Sequence, residues 1–140
     1  MSRNKKILIV EDDADIAYSL VLFYQHHNFD THLVNDGAYV VDTVTSYQPD
    51  IVILDIMLPN VNGIDCCKAI REFSNVPIIL LTAKVEQTDK YVGLESGADD
   101  YVCKPFDIME LILRTKTLLQ RTQGQVSYSK LSVFPEQAKV

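Results

Sequence analysis

Residues 51–55 read IVILD, a run of four branched apolar residues that ends directly on a carboxylate. An uninterrupted apolar run of this length is typical of a strand buried on both faces, as in a parallel sheet. Similar short runs recur along the chain, and each predicts a strand. The five runs are Ile7–Val10, Thr31–Val34, Ile51–Leu54, Val76–Leu81 and Tyr101–Val102.

Segments with helical spacing alternate with these runs. Ile16, Leu20, Phe23 and Tyr24 form one apolar stripe, and comparable stripes lie between the other strands. Five strand–helix repeats predict an α/β fold with a five-stranded parallel sheet, doubly wound and flavodoxin-like, with five flanking helices. The strand order expected for this architecture is 2-1-3-4-5.

Composition limits the classes of function. The chain has 140 residues, of which 47% are hydrophobic, and a net charge of -6, which suits one globular domain and disfavours direct contact with DNA or an anionic membrane. Three cysteines without a CxxC pair predict reduced thiols in a cytoplasmic protein, and disfavour a disulfide framework or a zinc site. The apolar run at Ile7–Val10 is too short for a signal peptide or a membrane span.

Carboxylates follow the first and third predicted strands. Glu11, Asp12 and Asp13 end the first strand, and Asp55 ends the third. In the expected strand order these ends meet at the crevice where ligands bind. Clustered carboxylates repel one another unless a hard cation such as Mg²⁺ lies among them. The plainer alternatives are that Asp13 only caps the first helix and that Asp55 is a solvated acid before a turn.

Two more strand ends supply groups suited to phosphoryl chemistry. Thr82 ends the fourth strand with a hydroxyl donor, and Ala83 beside it leaves room for a phosphodonor. Lys104 follows the fifth strand and offers a cation for transferring oxygens. The Lys104–Pro105 bond is a candidate for the cis form. The alternatives are a helix-capping threonine and a solvated lysine.

The segments IVEDD, ILDIMLP, LLTA and DDYVCKPF, in this order and at the predicted strand ends, resemble the response-regulator receiver family of the CheY-like superfamily over residues 5–121. The resemblance implies a site for magnesium-dependent phosphorylation, with a magnesium cofactor and a sensor histidine kinase as partner. The implied roles are phosphoryl acceptor for Asp55, metal ligands for Glu11, Asp12, Asp55 and the Met57 backbone carbonyl, phosphoryl contacts for Thr82 and Lys104, and switch positions for Thr82 and Tyr101.

The resemblance extends to the OmpR/PhoB-type transcription regulators. It implies a signalling domain that catalyses only its own phosphorylation and dephosphorylation and is not otherwise an enzyme. It also implies that the domain dimerises through its fourth helix, fifth strand and fifth helix. The implied pairs between protomers are Lys90 with Glu110, Glu95 with Lys116, and Asp100 with Arg114, around an apolar centre of Tyr91, Leu94 and Ile112. The alternative is a solvated face with pairs inside one helix, such as Glu110 with Arg114.

Residues 1–121 are therefore expected to form the receiver domain. Residues 122–140 are expected to be a linker and the start of a truncated winged-helix domain, so that DNA is bound only through a C-terminal domain absent from this chain. Three alternatives belong to other classes. A stand-alone receiver would regulate a protein partner. A phosphohydrolase of the haloacid-dehalogenase type would need a second Asp where Met57 stands. A flavodoxin-type electron carrier would need a phosphate-binding loop where Glu11 stands.

Overall fold

A five-stranded parallel sheet forms the centre of the fold. The structure is a computed structural model that describes residues 3–83 and 95–127, with side chains through residue 121. The strand order is β2-β1-β3-β4-β5 and every neighbouring pair is parallel, which confirms the predicted fold. The strands are β1 (Lys6–Val10), β2 (Asp30–Val34), β3 (Ile51–Asp55), β4 (Ile78–Thr82) and β5 (Asp100–Cys103).

Helices cover both faces of this sheet. They are α1 (Ala14–His26), α2 (Val40–Tyr47), which follows a 3-10 turn at Gly37–Tyr39, α3 (Gly63–Arg71) and α4 (Ile108–Ser127). The fourth helix predicted from the sequence lies between the fourth and fifth strands, mostly within residues 84–94, which are outside the described residues. The fifth predicted helix is α4. Within the described ranges, no helix has the length and hydropathy that a membrane crossing requires.

The alternation of side chains along each strand divides the core into two layers. In β1, Ile7 and Ile9 pack toward α1 and α4, whereas Leu8 and Val10 pack toward α2 and α3. The same division holds in β3 and β4, because successive strand residues point to opposite faces. The apolar strands are therefore buried on both sides, as their composition predicted.

Polar residues at the starts of the helices fix the loops at one end of the sheet. Asp13 accepts hydrogen bonds from the backbone of Asp15 and Ile16, and Asn62 accepts one from Asp65 at the start of α3. Asp107 accepts one from the Met109 amide. Each satisfies an amide that the first helical turn leaves without a backbone partner. The capping role of Asp13, one of the alternatives that the sequence left open, is confirmed.

The C-terminal helix is longer than expected. Its backbone stays helical through residues 122–127, where the polar composition had suggested an irregular linker. This stretch contains no proline, and extending a helix that is already nucleated costs only about 1 kcal/mol at its one glycine, Gly124. The domain boundary near residue 121 remains a prediction, and residues 128–140 lie outside the described part of the chain.

Candidate functional site

Lys104 lies at the centre of a compact polar cluster at the carboxyl ends of β1, β3 and β5. Its Nζ is 3.0 Å from Glu11 Oε1 and 3.1 Å from Asp55 Oδ2. Glu11 directly follows β1, Asp55 ends β3, and β1 pairs with β3 in register. The parallel sheet therefore brings together two acids that are 44 positions apart in the sequence, as the strand-end argument predicted.

The two carboxylates are buried and outnumber their cation. Glu11 is 1% exposed and Asp55 is 2% exposed. Burial, followed by the hydrogen bond with Asp55, raises the pKa of Glu11 from 4.5 to about 7. Burial alone would lower the pKa of the Lys104 ammonium, but its hydrogen bonds to Glu11 and Asp55 raise it above the ordinary value. The cluster thus holds more negative charge than Lys104 neutralises.

Asp12 brings a third carboxylate to this cluster. Oxygen atoms of Glu11, Asp12 and Asp55 all lie within 4.8 Å of one another, and Asp12 is exposed to solvent. Oxygen ligands from a few carboxylates, with one side open to water, suit Mg²⁺. The surplus charge and the donor set therefore fit a hard divalent cation.

The remaining predicted site residues surround Asp55. Thr82 ends β4 and is 1% exposed, while Ala83 beside it is exposed. The Met57 amide donates to Asp55 Oδ1 over 3.2 Å, whereas the Met57 side chain is 65% exposed. Tyr101 in β5 is half-buried against the core layer formed with α2 and α3. The Lys104–Pro105 peptide is cis, as predicted.

The predicted dimer residues other than Ile112 divide into three groups. Lys90, Tyr91 and Leu94 lie outside the described residues. Arg114 pairs within the chain, with Asp100 at 2.9 Å and with Glu110 at 2.9 Å. Glu95 and Lys116 are exposed, as the prediction requires.

Ile112 does not fit the apolar centre proposed for it. Its side chain is fully buried in the core of the chain, next to Leu111, so it offers no surface to a second protomer in this conformation. Among the side chains of α4 that the structure describes, the large apolar ones that are exposed are those of Met109, 42% exposed, and Leu113, 58% exposed. They replace Ile112 as candidates for that centre.

The backbone of Gly63 packs directly against the backbone of Asp55, a contact that the sequence did not reveal. Its amide donates to the Ile56 carbonyl over 2.8 Å. A Cβ at this position would collide with the carbonyl oxygen of Asp55 and lie 2.7 Å from the Ile56 Cα. The close approach of the Gly63 backbone to β3 has no local signal in the sequence.

We expect Gly63→Ala to destabilise the chain by about 3 kcal/mol, because rigid backbone atoms must shift to admit the methyl group. Urea unfolding at equilibrium measures this cost. Asn62→Ala is the control, since it removes only the α3 cap and costs about 1 kcal/mol. Equal midpoints for the two variants would contradict the expected collision.

Comparison with known proteins identifies the family. A family profile described as the response regulator receiver domain matches residues 7–116. The chain belongs to this family. Its receiver domain carries an acid pair after β1, an acid after β3, a hydroxyl after β4 and a lysine after β5, and so no position of the sequence-predicted site is missing.

Individual relatives agree with this assignment. The DNA-binding response regulator MtrA of Mycolicibacterium paratuberculosis is 45% identical over 121 residues, which are 86% of this chain and 54% of MtrA. The response regulator ArlR of Staphylococcus epidermidis is 47% identical over 115 residues, 82% of this chain and 52% of ArlR. The chain therefore spans about half the length of the curated relatives it matches.

Solved structures match the receiver fold over nearly their whole length. The receiver domain of the Francisella response regulator 1452 has a TM-score of 0.82 and 36% identity, covering 85% of this chain and 99% of that domain. The BeF3-activated N-terminal receiver domain of Klebsiella pneumoniae RstA has a TM-score of 0.80 and 31% identity, and the match covers 83% of this chain and 99% of that domain. The phosphohydrolase and electron-carrier alternatives are set aside, because the family is that of a signalling domain.

Proposed function

We propose that this receiver accepts a phosphoryl group on Asp55 from the phosphohistidine of a sensor histidine kinase. The observation that carries the proposal is the position of the Lys104 ammonium, 3.1 Å from Asp55 and 3.0 Å from Glu11 at the crevice of the sheet. A solvated acid before a turn would not be buried at 2% exposure beside a shared cation. Asp55 is instead a positioned nucleophile.

The chemistry proceeds by attack of a carboxylate oxygen of Asp55 on phosphorus. The new P–O bond gives an acyl phosphate, and the P–N bond of the donor breaks to release its imidazole. Lys104 contributes a fixed positive charge close to the transferring oxygens, and Thr82, at the end of the neighbouring strand β4, would donate its hydroxyl to one of them. Hydrolysis of the acyl phosphate returns the free carboxylate.

Glu11, Asp12 and Asp55 would hold a magnesium ion, together with the backbone carbonyl of Met57. The bound ion supplies charge that neutralises the phosphoryl oxygens. The protein's own part is to hold these oxygens within 4.8 Å of one another at a partly exposed edge. The pKa of Glu11, which burial chiefly raises to about 7, would fall on binding a cation that stabilises the ionised carboxylate.

The proposal is tested by incubating the native chain with acetyl phosphate and measuring its intact mass. We expect a single phosphoryl adduct that requires Mg²⁺ and disappears when the metal is chelated. An adduct of equal yield without the metal would contradict the role of the acidic cluster. No adduct with the metal present would contradict the acceptor chemistry itself.

Magnesium affinity should depend on pH through Glu11. The pKa of Glu11 is raised to about 7, so below that pH the ion must displace a proton. The apparent affinity should therefore fall by about tenfold per pH unit below 7 and level off above it. Calorimetric titration at pH 6 in buffers of different ionisation enthalpy should show a proton released on binding. Affinity that is constant from pH 6 to pH 8 would contradict this assignment.

The output is proposed to be dimerisation that controls transcription through a further domain. On phosphorylation, Thr82 moves toward the new group and Tyr101 turns into the space it leaves, which biases the face formed by β5, α4 and the predicted fourth helix. The name of the relative MtrA describes a DNA-binding regulator, and the 121 matched residues make up 54% of its length. DNA contact in this protein would lie outside residues 1–121.

Arg114 should take part in this dimerisation. In the single chain its guanidinium already bonds Asp100 and Glu110, so pairing between protomers must share or replace these bonds. We expect Arg114→Ala to weaken the dimer of the BeF3-treated chain by about tenfold, measured by analytical ultracentrifugation. Arg3→Ala, at an exposed arginine before β1 and outside the proposed face, should have little effect. Equal weakening by both variants would argue for a general charge effect.

A further inference from the structure

A loop that follows Asp55 is held against a second turn of the chain. This acceptor loop comprises residues 56–62 and includes Met57, whose carbonyl is a proposed metal ligand. Two hydrogen bonds tie its tip to the turn after β2. Asn60 Nδ2 donates to Asp36 Oδ2 over 2.6 Å, and the Gly37 amide donates to the Pro59 carbonyl over 3.1 Å.

The turn and the loop are packed closely as well as bonded. A Cβ on Gly37 would collide with the carbonyl oxygen of Val61, so only glycine allows this approach of the two backbones. The Cys66 thiol, 1% exposed, lies 3.6 Å from the carbonyl oxygens of Gly37 and Val61, so it contacts both the turn and the acceptor loop. The acceptor loop thus has a fixed support outside its own strand and helix.

Asp36 is fixed from both sides. Its Oδ1 accepts the Ala38 amide over 2.8 Å at the start of the 3-10 turn, and its Oδ2 accepts the Asn60 amide. Asn60 itself has a φ of 69°, a left-handed conformation that asparagine and aspartate tolerate better than most residues. The backbone conformation of the loop tip and its hydrogen bond to Asp36 are therefore set together.

We infer that Asp36 and Asn60 are positioning residues that hold the acceptor loop, and with it the Met57 carbonyl, in place for metal binding and phosphoryl transfer. The inference rests on the proposed function of the Asp55 site. Neither residue belongs to the set of carboxylates around Lys104, so the pair acts through the loop and not by direct contact with the ion. Partners that orient a metal ligand commonly matter to affinity almost as much as the ligand.

The geometry allows a test by exchange of the two side chains. Asn60→Asp should weaken Mg²⁺ binding to the unphosphorylated chain by about tenfold, because two carboxylates then face each other at the loop tip. The double variant Asp36→Asn with Asn60→Asp reverses donor and acceptor, keeps the acceptor for Ala38, and has the native net charge. It should bind Mg²⁺ within about twofold of the native chain.

Asn62→Asp is the matched control. It makes the same substitution and adds the same charge in the same loop, but its side chain contacts Asp65 instead of Asp36. Its affinity should stay within about twofold of native. Calorimetric titration gives the affinities, and urea unfolding without metal shows whether each variant is folded.

The outcomes separate the inference from the proposed function. Loss of affinity in the single variant with recovery in the exchanged one supports positioning by the pair. Native affinity in Asn60→Asp, or no recovery in a folded exchanged variant, overturns the inference while the Asp55 site stands. A native chain that binds no magnesium overturns the proposed function, and the inference with it.

Discussion

Asp55→Asn should take up no phosphoryl group from acetyl phosphate under conditions that phosphorylate the native chain. The substitution preserves the shape of the side chain and an acceptor for the Met57 amide. It removes the carboxylate, and a neutral amide oxygen is too weak a nucleophile to form an acyl phosphate. The expected effect is complete loss of the adduct in the intact mass.

Asp13→Asn is the control for this prediction, because it makes the same change in the acidic run after β1. The Asp13 side chain caps α1 and is exposed, and asparagine caps helices about as well as aspartate. Its adduct should form at the native yield. An adduct on Asp55→Asn at native yield would show that the acceptor is a different residue.

Glu11→Gln should have two effects of opposite sign. Magnesium affinity should fall by about a hundredfold or more, since a ligand of the ion is lost from the site. The metal-free protein at pH 8 should instead melt about 5 °C higher, because glutamine removes a buried charge that lies beside Asp55. Its side-chain oxygen can still accept from Lys104.

The sign of the stability change follows from the raised pKa of Glu11. Its folded value of about 7 lies above the ordinary 4.5, so folding takes up a proton between these pH values. The stability from this group is present below pH 4.5 and is lost as pH rises through 7. The advantage of Glu11→Gln should therefore be large at pH 8 and vanish toward pH 4.5.

Asp12→Asn is the comparison for Glu11→Gln. Asp12 is an exposed member of the same carboxylate set, so its substitution should weaken magnesium binding without raising the metal-free melting temperature. Thermal melts across the pH range, with and without Mg²⁺, separate the two effects. A lower melting temperature for metal-free Glu11→Gln at pH 8 would contradict the account of the cluster's charge.

The fold and the polar cluster around Lys104 could be predicted from the sequence, because both depend on regular spacing. Apolar runs fixed the strands, and parallel strands place their carboxyl ends at one edge of the sheet. The carboxyl ends of the first, third and fifth strands were then enough to assemble Glu11, Asp55 and Lys104. Nothing beyond strand order was needed to bring these three side chains together.

Contacts between side chains on different helices, strands or loops were harder to predict from the sequence. Arg114 has two acidic neighbours within its own chain, and the sequence alone could not decide between these and a partner's acids. The hydrogen bond between Asp36 and Asn60, 24 positions away, depends on how two loops meet.

Ile112 is different, because a signal for its burial was present in the sequence. It belongs to the stripe of Ile108, Leu111 and Thr115, whose spacing is that of a core-facing helix surface. Thr115 on the same stripe is fully buried, and its hydroxyl lies 2.7 Å from the Tyr24 hydroxyl. Helical periodicity alone therefore argued against assigning Ile112 to an exposed interface.

The location of the phosphoryl group on the native chain tests the central claim most directly. After phosphorylation, borohydride reduction converts an acylated aspartate to homoserine, and mass spectrometry of the digested protein gives its position. We predict homoserine at position 55 and an unmodified chain in the sample treated without a phosphodonor. Homoserine at position 12 or 13, or a phosphoryl group retained on a histidine, would contradict the assignment of Asp55.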